Sequence, residues 1–319
     1  MISALDLTLG QTTTFAILVG GALMVLAYWS LGRERHNLAT PDQREVDGAL
    51  VQLSDGHTHY RCWGPPDGHP AVLVSGGTIP CWVWEEMARL MAHAGLRTIS
   101  YDLYGRGESD RVKGPIDRAL YRRQLTELLD AVLPDQTVDL VGVSLGAAIA
   151  VDHGARHPNR VRRLVLIAPI VNSWNNPLLK WALNPILGRL FFRVVGLKKV
   201  EARAHQFLAH GSDPAALQAR FSAQLEVRGT ERSLLSLARG DLLGDYRPDY
   251  KTVGDSDIDV LMVWADKDPE VTDEVLEEAR ALLGDARTEQ ITCGHAAIIE
   301  DPLSVAAVLI DFLKPQPMG

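Results

Sequence analysis

Continuous apolar runs recur along the chain, and most of them are followed by a stretch in which apolar residues return every three or four positions. A short continuous run is typical of a strand that is buried on both faces, whereas the second spacing is typical of a helix with one buried face. The runs are PAVLVSGG (70–77), LRTISYD (96–102), TVDLVGV (137–143), RRLVLIAP (162–169) and DIDVLMVWA (257–265). Strands and helices that alternate in this way predict an α/β fold with a doubly wound, mostly parallel sheet.

Weaker signals extend this sheet at both ends. The segment ALVQLSDGHTHYRCWG (49–64) predicts two short strands joined at Asp55-Gly56, a dipeptide favoured in hairpin turns. Near the other end, ARTEQITC (286–293) predicts a last strand, and AAIIEDPLSVAAVLIDFL (296–313) predicts a closing helix.

The alternation is interrupted between residues 170 and 250, where the spacing of apolar residues is helical and no clear strand occurs. Because a structureless loop of this length is very unusual in a compact domain, we expect a helical cap inserted over the sheet. The cap divides the core into residues 49–169 and 251–319. Its dense apolar set comprises Trp174, Leu178, Leu179, Trp181, Leu183, Ile186, Leu190, Phe191, Phe192 and Leu197.

Residues 1–35 differ from the rest of the chain. No charged residue lies between Leu7 and Gly32, and FAILVGGALMVLAYWSL (15–31) is almost entirely apolar, which is about the shortest length that spans a bilayer. A cleaved signal peptide would begin with basic residues, and a soluble amphipathic helix would have a polar face. The sequence therefore favours a single membrane-spanning anchor, followed by a polar linker over residues 36–48. Arg33 and Arg35 directly after the anchor predict a cytoplasmic catalytic domain.

Composition narrows the class of partner. The chain has 319 residues and a formal net charge of −8, without the basic patch that a nucleic-acid partner requires. Its three cysteines, Cys62, Cys81 and Cys293, are odd in number and form no CxxC pair, so we expect no disulfide framework, although two of the three could pair. No cofactor is expected.

The first chemical signal is the pentapeptide Gly142-Val143-Ser144-Leu145-Gly146, which joins a predicted strand to a predicted helix without a loop. A tight turn at this junction exposes a serine as a nucleophile, and the flanking glycines, Gly142 and Gly146, relieve the crowding in the turn. A plain helix N-terminus capped by Ser144 is the alternative.

The second signal is Ser75-Gly76-Gly77-Thr78, directly after a predicted strand. A tetrahedral intermediate needs two backbone N–H donors, and we expect these from Leu145, at the start of the helix after Ser144, and from Gly77. An ordinary strand-to-helix turn is the alternative.

Carboxylates and a histidine follow the last two strands. Asp266 and Asp268 come after VLMVWA, and His295 comes after ITCG. A histidine base needs a carboxylate that fixes its tautomer and stabilises the imidazolium. His57 and His59 have metal-like spacing, but they sit at a predicted turn with no third ligand, so we expect no metal.

Four motifs together resemble the α/β-hydrolase superfamily over residues 49–313. They are the Gly142–Gly146 pentapeptide, YDLYGRGESDR (101–111), WADKDPEV (264–271) and GHAAIIEDP (294–302). The resemblance implies Ser144 as nucleophile, His295 as base and Asp268, rather than Asp266, as acid. Two positions depart from the family pattern: Ser75 stands where histidine is usual, and Ala265 stands where glycine is usual.

The resemblance implies a serine hydrolase, and the anchor and the apolar cap favour a lipophilic acyl ester, such as a monoacylglycerol or lysophospholipid. Arg189, Arg193, Lys198 and Lys199 beside the apolar residues also suit an anionic membrane surface. A carbon–carbon bond hydrolase of the meta-cleavage type and a membrane-tethered, catalytically dead scaffold are the alternatives.

Overall fold

An eight-stranded sheet forms the centre of the molecule. The computed structural model describes residues 9–30, 32–172, 184 and 187–314. The strands are β1 (Ala49–Gln52), β2 (His57–Trp63), β3 (Pro70–Val74), β4 (Arg97–Tyr101), β5 (Val138–Val143), β6 (Val161–Ile167), β7 (Asp259–Ala265) and β8 (Arg287–Ile291). Their order is β1-β2-β4-β3-β5-β6-β7-β8, in which β1, β2 and β4 pair antiparallel and the remaining neighbours are parallel. The predicted α/β-hydrolase fold is confirmed.

Helices cover both faces of the sheet. The helices of the described residues are α1 (Leu9–Ser30), α2 (Glu85–His93), α3 (Arg118–Val132), α4 (Leu145–Arg156), α5 (Gly188–Phe191), α6 (Leu197–Leu208), α7 (Pro214–Gln224), α8 (Thr230–Arg239), α9 (Arg247–Gly254), α10 (Asp273–Leu283), α11 (Ala297–Glu300) and α12 (Pro302–Leu313). The apolar cluster on one face includes residues of α3, α4, α9 and α10. The cluster on the other face includes residues of α2 and α12. Because both faces are covered, every residue of β3 and β5 is buried, as their continuous apolar runs predict.

The strand order reverses between β3 and β5. From β3 the chain crosses to β4 on one side, and from β4 it returns to β5 on the other side of β3. Loops leave the carboxyl ends of two such strands in opposite directions and open a crevice between them. The glycine loop 75–78 and the pentapeptide with Ser144 therefore meet at one point of the sheet edge.

The insertion between β6 and β7 contributes α5 to α8, with a π-helical turn (Phe192–Gly196) between α5 and α6. A third apolar cluster, which includes Phe192, Leu197, Leu208 and Phe221, packs these helices onto Trp82 of the core. These helices are hereafter the cap, residues 187–239. The predicted cap residues Trp174, Leu178, Leu179, Trp181, Leu183 and Ile186 lie outside the described residues.

The predicted N-terminal helix is present as α1. Its stretch Thr12–Ser30 has a mean hydropathy of 1.6, and none of that stretch is buried against the rest of the molecule. Large apolar side chains on α1 face outward, among them Phe15, Leu18 and Trp29 at 67%, 66% and 74% exposure. Length and composition suit a membrane span, and the predicted anchor stays a prediction.

Candidate active site

Ser144 occupies a strained turn between β5 and α4. Its φ of 53° and ψ of −118° lie in a region that non-glycine residues rarely adopt. A Cβ on Gly142 would lie 2.3 Å from the carbonyl oxygen of Gly146, and a Cβ on Gly146 would lie 2.1 Å from that of Val74. The turn therefore requires glycine at both positions. The Ser144 side chain makes no capping hydrogen bond with α4, which contradicts the alternative interpretation as a helix cap.

The glycine loop lies directly against this turn. A Cβ on Gly76 would lie 3.8 Å from Cβ of Ser144, and one on Gly77 would lie 3.1 Å from Cδ2 of Leu145. The structure thus brings Gly77, Ser144 and Leu145 together at the N-terminus of α4, where the helix dipole favours negative charge. Ser75, the departure from the family pattern, is buried, and its hydroxyl has no partner among the described residues.

His295 and Asp268 form a buried pair. His295 Nδ1 lies 2.8 Å from Asp268 Oδ2, and the bond fixes the tautomer whose Nε2 is free to accept a proton. Asp268 Oδ1 accepts hydrogen bonds from the backbone N–H groups of Glu270 (2.8 Å) and Val271 (3.3 Å). Asp266 is exposed at the surface.

Glu300 holds the loop that carries His295. Its carboxylate accepts from the N–H groups of Gly294 (2.7 Å) and Ala296 (3.2 Å), on either side of the histidine. The glutamate of the GHAAIIEDP segment thus holds the backbone on both sides of His295, and it thereby fixes the position from which the imidazole side chain extends.

The loop after β4 contains a buried cation that the sequence analysis did not single out. Arg106 is 1% exposed, and its Nε donates to the carbonyl oxygen of Gly77 at 2.8 Å. Its Nη1 donates to the carbonyl oxygen of Gly105 at 2.9 Å. Within the described part of the chain, no carboxylate forms an ion pair with this guanidinium, and Nη2 has no hydrogen-bond partner. Burial lowers the pKa of Arg106, but an arginine stays charged in proteins.

The wall of the site nearest His295 also comes from residues that the sequence analysis missed. Glu270 Oε2 lies 3.6 Å from His295 Nε2, and Glu270 forms an ion pair with Arg203 of α6. The ring of Phe207, one turn further along α6, lies 5.6 Å from the His295 ring. These contacts join the cap to the candidate catalytic pair. No sequence signal identifies them, because they link separate parts of the chain.

A cavity of about 340 Å³ connects these groups. Ser144 and His295 line it together with a set of mostly apolar side chains: Ile79, Val83, Val143, Ile170, Val171, Phe207, Leu237, Leu243, Val271, Val275, Ile298 and Ile299. The polar lining includes Thr78, Asn172, Arg203 and Glu270. A mostly apolar cavity with a few convergent polar groups is typical of a small-molecule site.

The remaining candidate groups have other partners. His59 lies in β2 and pairs with Asp102 (Nδ1 to Oδ2, 2.8 Å), within reach of Cys81. Asp102 also accepts from the N–H groups of Cys81 (2.7 Å) and Glu108 (2.9 Å), so its oxygens are occupied. Burial raises the pKa of the Cys81 thiol well above its ordinary value. All three cysteines are free, and Cys293 is buried with its pKa raised to about 12 by burial.

Comparison with known proteins identifies the family and the fold. The model of the alpha/beta hydrolase family matches residues 71–308. A putative carbamate hydrolase of Variovorax paradoxus is 33% identical over 123 residues, 37% of this chain and 43% of that protein, so the chain spans less than half of this relative. The monoglyceride lipase of Mus musculus is 27% identical over 220 residues, which cover 61% of this chain and 70% of the lipase. The crystal structure of the enol-lactonase from Burkholderia xenovorans superposes with a TM-score of 0.67 at 20% identity, over 83% of this chain and 99% of that one, and this likeness concerns the fold.

Proposed function

Because the chain belongs to the alpha/beta hydrolase family, we propose that it is a serine hydrolase that cleaves a carboxylic ester through an acyl-enzyme on Ser144. The observation that carries the proposal is one cavity lined by Ser144, His295, Gly77 and Leu145, with Asp268 hydrogen-bonded to the histidine. A nucleophile, a base with its carboxylate and two backbone N–H donors are the groups that acyl transfer requires.

The first half of the reaction forms the acyl-enzyme. His295 Nε2 takes the proton of the Ser144 hydroxyl as its oxygen attacks the ester carbonyl. The carbonyl oxygen becomes an oxyanion, which the N–H groups of Leu145 and Gly77 stabilise. His295 then protonates the alkoxide that leaves. Asp268 stabilises the imidazolium through Nδ1, and the carboxylate of Glu270, 3.6 Å from Nε2, adds negative charge on the other side of the ring.

The second half regenerates the enzyme. A water molecule gives a proton to His295 Nε2 and attacks the acyl carbonyl, which forms a second oxyanion in the same position. The carboxylic acid leaves as Ser144 regains its proton from His295.

The cavity supports a lipophilic acyl group as substrate. Its lining is mostly apolar, and burial of each methylene of an acyl chain contributes about 0.8 kcal/mol. The monoglyceride lipase among the relatives is consistent with a monoacylglycerol or lysophospholipid-like ester. With α1 as a single-pass anchor, the hydrolase domain would act at the cytoplasmic surface of a membrane.

Labelling with a fluorophosphonate probe tests the nucleophile. The full chain reacts, Ser144→Ala does not, and His295→Ala reacts far more slowly, because the hydroxyl then lacks its base. Ser212→Ala, which changes an exposed serine of the cap, reacts like the wild type. Equal labelling of Ser144→Ala and wild type would refute the assignment.

A series of esters with increasing acyl length tests the substrate class. We expect kcat/KM to rise with chain length until the cavity is filled. A preference for acetate esters would exclude the lipophilic substrate, and turnover of vinylogous diketones without turnover of esters would select a carbon–carbon bond hydrolase instead.

A further inference from the structure

The residues directly after α1 are built into the cap. This segment, residues 32–36, is hereafter the tether. Arg33 Nη1 lies 2.6 Å from Glu201 Oε2 on α6. Glu34 Oε1 accepts hydrogen bonds from the N–H groups of Gly229 (2.9 Å) and Glu231 (2.8 Å), where α8 begins. A carboxylate at the N-terminus of a helix is stabilised by the helix dipole as well as by these bonds.

Backbone pairing adds to these side-chain contacts. The N–H of Arg35 donates to the carbonyl oxygen of Glu226 at 2.7 Å, and the N–H of Arg228 donates to that of His36 at 2.8 Å. His36 thereby forms a parallel bridge with Val227. The tether is thus an added strand-like edge of the cap, and it is not a loose linker.

The last turn of α1 is fastened to the same unit. Arg193 Nη1 donates to the carbonyl oxygen of Tyr28 at 2.7 Å, and its guanidinium stacks 3.6 Å from the centre of the Tyr28 ring. Arg193 Nε donates to Glu231 at 2.7 Å, so one arginine connects α1, the π-helical turn and α8. All of these contacts join α1 and the tether to the cap. Wherever α1 lies, the cap lies directly beside its end.

The charge of the cap differs from that of the whole chain. Between residues 187 and 239 there are nine arginines and lysines against four aspartates and glutamates, although the chain carries a net charge of −8. Lys198 and Lys199 of α6 are exposed. Lys198 follows Arg193 by five residues, which corresponds to roughly 8 Å along a helix. That separation is about one Debye length at physiological salt, so Lys198 lies within electrostatic reach of the last turn of α1, which Arg193 contacts.

Helix α6 connects these lysines with the candidate active site. Lys199, Arg203 and Phe207 follow one another at intervals of four residues and therefore share one face of the helix. Arg203 and Phe207 line the cavity beside His295. Lys199 thus extends this helix face outward from the cavity.

From these contacts we propose that the cap is a docking surface for an anionic lipid bilayer, held against the headgroups by the tether. The lysines of α6 contact the anionic headgroups, and the cavity wall formed by the same helix stands at the bilayer surface. The docking rests on α1 as a membrane anchor, and together with the proposed ester hydrolysis it names the source of the substrate: an acyl ester that resides in the bilayer.

Collisional quenching in nanodiscs tests the docking with the full chain. A fluorophore is attached at Lys198→Cys in a Cys62→Ser background, because the other two cysteines are buried. The quencher is a lipid spin-labelled at its headgroup, in discs with or without phosphatidylglycerol. Asp285→Cys is the matched control, since Asp285 is exposed directly before β8, on the sheet edge opposite the candidate active site.

We expect several times more quenching at position 198 than at position 285 in anionic discs. Lys199→Glu should remove more than half of the quenching at position 198, and Arg33→Ala combined with Glu34→Gln should also lower it. Equal quenching at positions 198 and 285 would refute the docking. If quenching at position 198 changed neither with phosphatidylglycerol nor with Lys199→Glu, the preference for an anionic lipid surface would be refuted. Quenching requires no turnover. A failure of the docking is therefore distinct from a failure of the proposed hydrolysis, which fluorophosphonate labelling decides.

Discussion

At the scale of single residues, Arg106 is a cation in a place where cations are costly. A buried charge without a partner of opposite sign is strongly destabilising unless it interacts with polar groups, and Arg106 is bonded to carbonyl oxygens alone among the described residues. One of these carbonyls belongs to Gly77, in the loop proposed to stabilise the oxyanion. The guanidinium is therefore bonded to that loop, and in the proposed reaction it would add positive potential where the oxyanion forms.

Arg106→Met should lower kcat with little change in KM, because the interaction strengthens only as the oxyanion forms. Loss of one direct oxyanion donor costs about 100-fold or more in kcat, and we expect a smaller loss, about tenfold, from this indirect position. Steady-state kinetics on a soluble ester measure the effects on kcat and KM separately. Arg106→Lys keeps the charge and should retain part of kcat, whereas a rise in KM at constant kcat would contradict the positioning role.

The His59–Asp102 pair should make stability depend on pH. Burial opposes protonation of His59, but the hydrogen bond to Asp102 and its negative charge outweigh burial and raise the pKa of the histidine. Protonated His59 therefore favours the folded state below the ordinary histidine pKa of about 6.5, and this contribution is lost as pH rises through the raised value.

Denaturant titrations at about pH 6 and about pH 9 measure this effect. The free energy of unfolding should be higher at the lower pH, and His59→Gln should lose more stability at the lower pH than at the higher one. An equal loss at both values would indicate that the pair contributes packing alone.

At the scale of elements, the contact between α4 and the end of β3 depends on one glycine. A Cβ on Gly146 would lie 2.1 Å from the Val74 carbonyl oxygen, so Gly146→Ala forces α4 away from the sheet. We expect a loss of about 1–3 kcal/mol or more in stability, together with loss of fluorophosphonate labelling.

Gly154→Ala is the matched control in the same helix, since its Cβ would meet its nearest neighbours at an ordinary 3.6 Å. Alanine is the better helix former by about 1 kcal/mol, so this variant should unfold at the same temperature or higher. Thermal unfolding of both variants in detergent measures the difference. Equal melting temperatures for the two variants would show that stability does not depend on the close approach of Gly146 to the Val74 carbonyl.

Elements with a local cause were predictable from sequence. The buried strands β3 and β5 follow from continuous apolar runs, and the turn at Ser144 follows from its two glycines. The start of α3 at Arg118 also has a local cause, because the side chain of Asp117 accepts a hydrogen bond from the N–H of Leu120. Arg106 and Glu270 escaped prediction because their roles arise from contacts between distant parts of the chain, which no local pattern contains.

At the scale of the whole molecule, the basic residues are concentrated in the cap, which is also the part that lies next to α1. The tether and the basic cap lie next to α1, whereas the rest of the chain carries the excess of acidic residues. Opposite charges on two sides of a molecule orient it at an anionic surface. The tether also makes the cap dependent on residues that a simple anchor deletion would remove.

Two deletions separate anchoring from support of the cap. Removal of residues 1–30 leaves Arg33 and Glu34 in place. This protein should move to the soluble fraction at high salt, because salt screens the charge of the basic cap. It should also keep its activity on a soluble short-chain ester.

Removal of residues 1–36 also takes away the ion pair with Glu201, the bonds at the start of α8 and the bridge to Val227. This second protein should melt at a lower temperature and lose activity on the same ester, because the cap then lacks one edge and Arg203 and Phe207 lose their fixed position beside His295. Sedimentation, thermal unfolding and ester hydrolysis measured side by side check the prediction. Retention of the first protein in membranes would contradict the anchor, and equal melting temperatures and activities of the two would contradict the structural role of the tether.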